Sequence, residues 1–476
     1  MIGALLACVV SGIGVTTIAL EKNETATSAL AGDLDGDGLL DLLLVVEREG
    51  LPQELRAHLR GPAGLQSVPA WREELAPNVV AYAIADVSPA EGNEVVLIAP
   101  DVVAALQPDA PADERFTGLA QVELLWQSAP DGPFAWQAGI VDLDGDGLDD
   151  VLLPEAVGYR ALLQRREGDE CVFAPFVLAV ETEGLTDELE DLATAFRRLQ
   201  PEATRESSGS LVEISASVPA PFVIDIDGDG RVELVAQNRE RRSIWTWSDG
   251  SFDRREVTLP FEVDLQRELD VSWACHLGDL DGDGDLETVV LAREQRGDED
   301  RTQVLVYGES FERPLQVILL QGLITTSRLL DVDGDGALDL VTFGLGDDLF
   351  ESLRSGVEDE VEFTANVFAN EGGQFARRPA LVERIAIDPR ADDEIIGLCA
   401  DATGDGSCDF LRVTERGRLE LIPLLARSSG WRLLLSTPVW QHELDSRARV
   451  DFLDGARART AWIAIEPNAV VVFEVQ

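Results

Sequence analysis

The sequence predicts an all-β fold, a β-propeller of four-stranded blades. Three observations predict it. An acidic loop recurs along the chain at intervals near fifty residues, and an apolar run typical of a buried strand follows each clear copy. Turn residues then divide the interval into about four short strands. From the number of copies we expect eight blades, with seven as the alternative.

The chain begins with an apolar stretch. The first twenty residues lack a basic start and are broken by glycine and threonine, so we do not predict a transmembrane helix. Residues 1–11 are expected to be an N-terminal stub. Two interpretations stay open: a shortened export signal, in which Leu5-Leu-Ala-Cys8 resembles a lipobox with a lipid anchor at Cys8, or a buried strand. Residues 12–476 are expected to form a single propeller.

The acidic loops carry the chemistry of this sequence, and the clearest copy is Asp331-Val-Asp333-Gly-Asp335-Gly-Ala-Leu-Asp339. Carboxylates packed this closely repel one another unless a cation neutralises them. Ligands made only of oxygen select a hard cation, and Ca²⁺ accepts many flexible carboxylates more readily than Mg²⁺. The last carboxylate stands at position nine, directly before a β-type run, whereas an EF-hand has it at position twelve before a helix. The pattern therefore predicts a calcium loop that joins two strands.

Six loops keep this pattern, so we predict about six Ca²⁺ sites. Side chains at positions one, three, five and nine and the carbonyl at position seven are the assigned ligands: Asp33, Asp35, Asp37, Leu39, Asp41; Asp142, Asp144, Asp146, Leu148, Asp150; Asp225, Asp227, Asp229, Arg231, Glu233; Asp279, Asp281, Asp283, Asp285, Glu287; Asp331, Asp333, Asp335, Ala337, Asp339; and Asp401, Thr403, Asp405, Ser407, Asp409. The last site should be weaker because it has threonine at position three. The alternative for any one loop is an Asp-Gly turn that needs no metal.

Two worn copies and two insertions complete the repeat pattern. The copies at Asp86 and Asp451 have lost too many carboxylates, so we interpret them as metal-free turns. Successive first positions are then 53, 56, 83, 54, 52, 70 and 50 residues apart. The two long intervals contain insertions at about 182–207 and 347–360, each predicted to hold a short helix. Removing them restores the period.

The last repeat lacks a strand. It offers three β-type runs, whereas residues 14–20 at the other end of the chain have no blade of their own. We therefore expect residues 14–20 to supply the fourth strand of the last blade and to close the ring, which would remove two exposed strand edges.

The repeated Asp-x-Asp-Gly-Asp-Gly-x-x-Asp/Glu signature resembles the FG-GAP and VCBS repeats of integrin α-subunit-type β-propellers. The resemblance extends over essentially the whole chain. The Phe-Gly and Gly-Ala-Pro cassettes of FG-GAP repeats are mostly absent, which favours the VCBS-like branch. The resemblance implies a non-enzymatic, calcium-stabilised propeller that binds a protein or carbohydrate, as in adhesion.

Charge and cysteine usage restrict the partners and the location. A formal net charge of −51 repels nucleic acid and anionic lipid, so neither is an expected partner. Calcium loops of modest affinity fill only where calcium is plentiful, which favours an extracellular or cell-surface location. Cys399 and Cys408 bracket the last loop, either as a disulfide or as two free thiols.

Catalysis has little support in the sequence. His58, His276 and His442 lie in different repeats without a shared motif, and we interpret them as ordinary strand residues. The alternative enzyme is a polysaccharide lyase built on a calcium-containing propeller, although a polyanionic substrate would meet a strongly negative surface. A purely architectural domain is a third interpretation. Trp245 and Trp247 alternate on one strand and are predicted to pack in the core or between blades, with sugar stacking as the alternative.

Overall fold

The structure, a computed structural model, describes residues 13–475 except 109, 112–113, 125, 127–131, 156–157, 169, 181–182, 185–215, 218–220, 227–230, 238–240, 259–272, 297–298, 309–310, 322, 346–360, 388–394, 399–400, 402–406, 415–416, 426–430, 434–437, 439, 446–447 and 453–460. The protein is an all-β propeller of eight blades, so the prediction of eight rather than seven is confirmed. The described part of the chain contains one 3₁₀ turn, Gln137–Gly139, and no α-helix. Within the described residues, no helix has the length and hydrophobicity needed to cross a bilayer.

The first two blades follow one another along the chain. Strand β1 (Ile13–Ala19) precedes them. Blade one consists of β2 (Glu24–Gly32), β3 (Asp41–Arg48), β4 (Glu54–His58) and β7 (Trp71–Glu74), with a small hairpin of β5 (Arg60–Gly61) and β6 (Gly64–Leu65). Blade two consists of β8 (Ala81–Ala85), β9 (Glu94–Ile98), β10 (Val102–Leu106), β11 (Phe116–Gln121) and β12 (Phe134–Ala135). The short β12 pairs parallel to β8, a fifth strand that the repeat pattern does not predict.

Blades three to five repeat the antiparallel meander. Blade three consists of β13 (Ile140–Val141), β14 (Asp150–Glu155), β15 (Gly158–Glu167) and β16 (Glu170–Ala179). The hairpin β17 (Glu183–Gly184) and β18 (Ala216–Ser217) follows. Blade four consists of β19 (Pro221–Ile224), β20 (Glu233–Gln237), β21 (Arg241–Ser248) and β22 (Ser251–Thr258). Blade five consists of β23 (Trp273–Gly278), β24 (Glu287–Arg296), β25 (Glu299–Tyr307) and β26 (Gln316–Gln321).

Blades six to eight complete the fold. Blade six consists of β27 (Leu323–Leu330), β28 (Asp339–Leu345), β29 (Val361–Phe368) and β30 (Leu381–Ile387). Blade seven consists of β31 (Ile395–Leu398), β32 (Phe410–Val413), β33 (Arg418–Ile422) and β36 (Trp440–Glu443), with β34 (Leu424–Leu425) and β35 (Arg432–Leu433) as a small side hairpin. Blade eight consists of β37 (Arg449–Phe452), β38 (Ala461–Glu466) and β39 (Ala469–Val475), joined by β1.

The N-terminal strand lies in the last blade. β1 pairs antiparallel with β39 over its whole length, from Ile13 opposite Val475 to Ala19 opposite Ala469. This is the segment assigned from the sequence to the missing strand. The two predicted helical insertions fall mostly outside the described residues, and only the paired ends Glu183–Gly184 and Ala216–Ser217 flank the first of them.

The chain divides into two compact units, one with blades one and five to eight, the other with blades two to four. Within each unit, apolar side chains pack between neighbouring blades. In the smaller unit, for example, Trp245 is 3% exposed in a cluster with Leu152 and Leu163 of blade three. Trp247 packs edge-on against Phe176 of blade three. Both tryptophans therefore contribute to the interface between blades three and four.

The acidic loops share one register. In five blades the residue at position nine lies directly opposite the residue just before position one, as Gly32 does with Asp41 and Val141 with Asp150. The worn copy shows the same pairing, Ala85 opposite Glu94. Each loop therefore joins the first and second strands of its blade, and position nine begins the second strand.

Candidate metal centres

The first loop shows how the backbone wraps around position one. Both carboxylate oxygens of Asp33 accept backbone N–H groups, from Gly36 at 2.8 Å and from Gly38 at 2.9 Å. The two glycines have φ of 77° and 82°, the left-handed conformation that glycine adopts without strain. The loop therefore curls around the Asp33 carboxylate and turns its acidic side chains toward one point.

Positions three, five and seven continue this turn. The carboxylate of Asp35 accepts the N–H of Asp37 at 3.2 Å, and that of Asp37 accepts the N–H of Leu39 at 2.8 Å. One oxygen each from Asp33, Asp35 and Asp37 lies within 4.8 Å of the others. Two oxygens bound to the same Ca²⁺ at 2.3–2.6 Å stand at most about 5 Å apart. The spacing and the all-oxygen donor set thus fit calcium.

The side chain at position nine also accepts backbone hydrogen bonds. Asp41 is buried, and its two oxygens accept the N–H of Leu34 at 2.8 Å and that of Arg60 at 2.6 Å. It therefore ties the start of its own loop to strand β5 of the small side hairpin. Burial raises the pKa of Asp41, and it raises the pKa of the equivalent Asp150 and Asp339 to about 7. These carboxylates are poorly hydrated, which makes a nearby cation favourable.

Three further loops repeat this geometry. The N–H of position four and that of position six donate to the position-one carboxylate at 2.7–3.1 Å in all three, and the N–H of position two donates to the position-nine carboxylate at 2.8–3.0 Å. The close oxygen groups are Asp142, Asp144, Asp146; Asp279, Asp281, Glu287; and Asp331, Asp333, Asp339. In the last two groups position nine joins the cluster.

The other two predicted loops are described only in part. Asp227 and Asp229 lie outside the described residues, as do Thr403 and Asp405. Their position-nine residues are buried like the others, Glu233 at 5% exposure and Asp409 at 0%. The carbonyl ligands assigned at position seven stay a prediction in all six loops.

Sequence reasoning overlooked the role of Glu94 in the worn loop. Its carboxylate accepts the N–H of Val87 at 3.1 Å and the hydroxyl of Ser88, so it ties the loop together as Asp41 does. Positions three and five are Ser88 and Ala90, and neither is a carboxylate. The tie at position nine is therefore present where the ion ligands are not, and the retained glutamate was the signal for it.

Neighbouring loops touch within each unit. In the larger unit, the side-chain amide of Asn370 donates to Leu280 O at 2.6 Å and to Leu338 O at 3.2 Å, which links the Asp279 and Asp331 loops. The N–H of Cys408 donates to Val332 O at 2.8 Å, and its free thiol lies 3.3 Å from Asp331 O. These contacts connect three consecutive loops.

The smaller unit shows the same kind of contact. The N–H of Asp86 donates to Oδ2 of Asp149 at 2.9 Å, which joins the worn loop to the Asp142 loop. On the other side of the Asp142 loop, the aliphatic part of the Arg231 side chain packs closely against Gly145. A side chain at residue 145 would collide with it. Arg165 from strand β15 contacts Asp144 and lies 3.1 Å from Asp146. No motif in the sequence pointed to Arg165.

The histidines have structural surroundings. His58 Nδ1 lies 3.0 Å from Gln66 O, and His276 Nε2 lies 2.7 Å from the hydroxyl of the buried Ser327. Burial lowers the pKa of His58 and His276. His442 stacks on Trp440. Each is thus held in its own blade interface or hairpin.

Comparisons with known proteins give one family-model match and remote similarity to solved structures. The model of the FG-GAP-like repeat matches residues 225–290. Among solved structures, the WD40 domain of SCAP from fission yeast is 9% identical, with 97% of this chain and 98% of that chain covered and a TM-score of 0.46. The Dos1 propeller is 9% identical, with 96% and 93% covered and a TM-score of 0.42. A search of curated proteins finds no match. The chain is thus an eight-bladed β-propeller in which residues 225–290 match the FG-GAP-like repeat.

Proposed function

We propose that this propeller is a calcium-stabilised, non-enzymatic binding module that works outside the cell. The observation that carries the proposal is the repetition of one loop geometry. The Asp33, Asp142, Asp279 and Asp331 loops each gather three carboxylate oxygens within 4.8 Å. A hairpin needs no such convergence, because a turn that only reverses the chain gains nothing from gathered negative charge.

Electrostatics support a role for the ions in stability. The chain carries a net charge of −51, and its loops concentrate part of that charge where the backbone holds it in place. Each site with a dissociation constant ~100-fold below the ambient calcium concentration would stabilise the fold by about 2.7 kcal/mol. Several such sites would match the net stability of about 5–15 kcal/mol of a typical domain. Loops of modest affinity fill at extracellular calcium levels, which supports export.

Thermal unfolding with and without calcium tests the metal proposal. We expect the melting temperature of chelator-treated protein to rise by at least about 10 °C on addition of millimolar Ca²⁺, because several sites add their binding free energy to folding. Mg²⁺ at the same concentration is the matched control and should raise it much less, since it prefers a stricter octahedral site. Equal melting temperatures in chelator and in calcium would contradict the proposal.

The binding role needs its own test. The three histidines are occupied in packing contacts, which supports a non-enzymatic protein. Screening glycan arrays and extracellular proteins in calcium and in chelator should give a ligand whose capture depends on calcium. Pectic polymers incubated with the protein should yield no unsaturated ends. Their appearance would replace the binding role with that of a polysaccharide lyase.

A further inference from the structure

The Asp142 loop differs from the other complete loops in having an arginine guanidinium on its carboxylates. Arg165 follows Gln164 on strand β15, and the N–H of Gln164 donates to Asp150 at position nine at 2.8 Å. The next residue therefore reaches back over the loop. Its guanidinium contacts Asp144 and lies 3.1 Å from Asp146, the ligands assigned at positions three and five. A single positive charge thus lies on two carboxylates of one candidate metal centre.

The burial of the position-three side chain shows the effect of this arginine. Asp144 is buried, whereas Asp35 and Asp281 at the same position of their loops are exposed and Asp333 is half-buried. In the part of the chain that the structure describes, the Asp33, Asp279 and Asp331 loops make no ion pair between an assigned side-chain ligand and an arginine or lysine. Of these four loops, only the Asp142 loop has part of its carboxylate charge balanced by an arginine of the protein.

The topological equivalents of Arg165 in blades one and six carry no positive charge. In blades one and six, the N–H groups that donate to the position-nine carboxylate belong to Arg60 and Asn370. The residues that follow them are Gly61 and Glu371, which carry no positive charge. The hydrogen bond to the position-nine carboxylate is therefore present in all three of these blades. The charge of the residue after the donor differs between them.

The arginine is also fixed from its other side. Its guanidinium carbon lies 5.7 Å from the centre of the Trp247 ring in blade four, a distance typical of a cation–π contact. It is still about one-third exposed, so an incoming ion can displace it toward water. A divalent cation entering this loop must break two ion pairs and one ring contact that do not exist in the Asp33 loop.

We propose that Arg165 is a built-in counter-ion that makes the Asp142 loop the weakest divalent-cation site among the four complete loops. The inference rests on the calcium binding proposed above. It divides the loops into two classes: the Asp33, Asp279 and Asp331 loops bind calcium tightly, and the Asp142 loop fills only at higher calcium and then releases Arg165 from Asp144 and Asp146. Because Arg165 also contacts Trp247, filling of this loop alters the interface between blades three and four.

Terbium luminescence tests this site by site. Tb³⁺ replaces Ca²⁺ in oxygen sites and emits when a nearby tryptophan is excited, so the emission that Trp247→Phe removes reports on the Asp142 loop. We expect Arg165→Gln to lower the Tb³⁺ concentration at half-maximal Trp247-dependent emission at least tenfold. Arg160→Gln is the matched control: Arg160 lies on β15 like Arg165, but it pairs with Glu155 at the end of β14, and its loss should leave this concentration unchanged.

A gain-of-charge variant covers the case in which Arg165→Gln does not fold. No heavy atom lies within 4 Å of a Cβ built on Gly61, so Gly61→Arg fits without a clash. Calcium calorimetry should then show one tight site weakened at least tenfold. An unmoved terbium midpoint, or an unweakened site in Gly61→Arg, overturns the counter-ion role alone. Absence of any calcium binding by the native chain overturns the proposed function as well.

Discussion

At the scale of single residues, the position-nine carboxylates show that one side chain can accept backbone hydrogen bonds and also lie in a candidate metal centre. Asp339 accepts the N–H groups of Val332 and Asn370 and still lies within 4.8 Å of Asp331 and Asp333. The sequence pattern predicts the second role because ligand spacing is local. It does not predict the bond from Asn370, which lies in a hairpin 31 residues along the chain. Arg165 was overlooked for the same reason.

A buried ion pair gives a prediction at this scale. Glu24 accepts hydrogen bonds from Arg56, whose guanidinium also bonds to Glu54 inside blade one. These bonds lower the pKa of Glu24 to about 2, so ionised Glu24 stabilises the fold. We expect Glu24→Gln to lower the free energy of unfolding by about 3 kcal/mol at pH 7, measured by urea unfolding.

The pH dependence has a definite sign. The stabilisation by Glu24 is fully present above its unfolded pKa of about 4.5 and is lost as the pH falls toward 2. The difference in unfolding free energy between the native protein and Glu24→Gln should therefore become smaller below pH 4.5. Glu74→Gln removes an exposed partner of Arg48 and serves as the control, with an effect under about 1 kcal/mol. A gap that widens on acidification would contradict this account.

At the scale of elements, the hairpin Asn370–Phe375 connects two candidate metal loops. Asn370 is buried and donates to a carbonyl of each loop, and Gly373 packs closely against Asp281. The sequence marks this stretch as a turn, since it contains Asn and two glycines. Its contact with the loop of the preceding blade follows from blade packing and has no local signal.

Removing the Asn370 side chain should therefore affect two loops at once. Asn370→Ala leaves one buried and one partly buried carbonyl without this donor, and we expect it to cost about 2–4 kcal/mol of folding free energy. We also expect calcium affinity to fall at the Asp279 and Asp331 loops together, as measured by calorimetry. Asn366→Ala, which removes one 3.4 Å bond to Thr342, is the matched control. A single affected calcium site would contradict the coupling.

At the scale of the whole molecule, the last blade is assembled from both ends of the sequence. β1 pairs with β39 through seven residue pairs, and Ile18 and Val470 belong to one core cluster. Counting strands predicted this partner, because three strands at one end and one at the other complete a four-stranded sheet. The parallel strand β12 was not predicted, since two residues carry no periodicity.

Deleting β1 tests how much the last blade needs it. We expect removal of residues 1–19 to lower the melting temperature by at least about 5 °C and to cause association on size-exclusion chromatography, because β39 becomes an open strand edge. A synthetic peptide of residues 13–20 added in excess should restore both properties. A truncated protein that stays monomeric with an unchanged melting temperature would show that the strand is dispensable.

The worn loop of blade two suggests how such a molecule could be redesigned. Because Glu94 holds the hairpin closed where ion ligands are missing, a protein engineer could erase or graft a site by editing positions three and five alone. The blade would keep its shape in either case. The number of bound ions then becomes an adjustable setting, chosen to suit the calcium supply of a given tissue fluid, culture medium or biosensor.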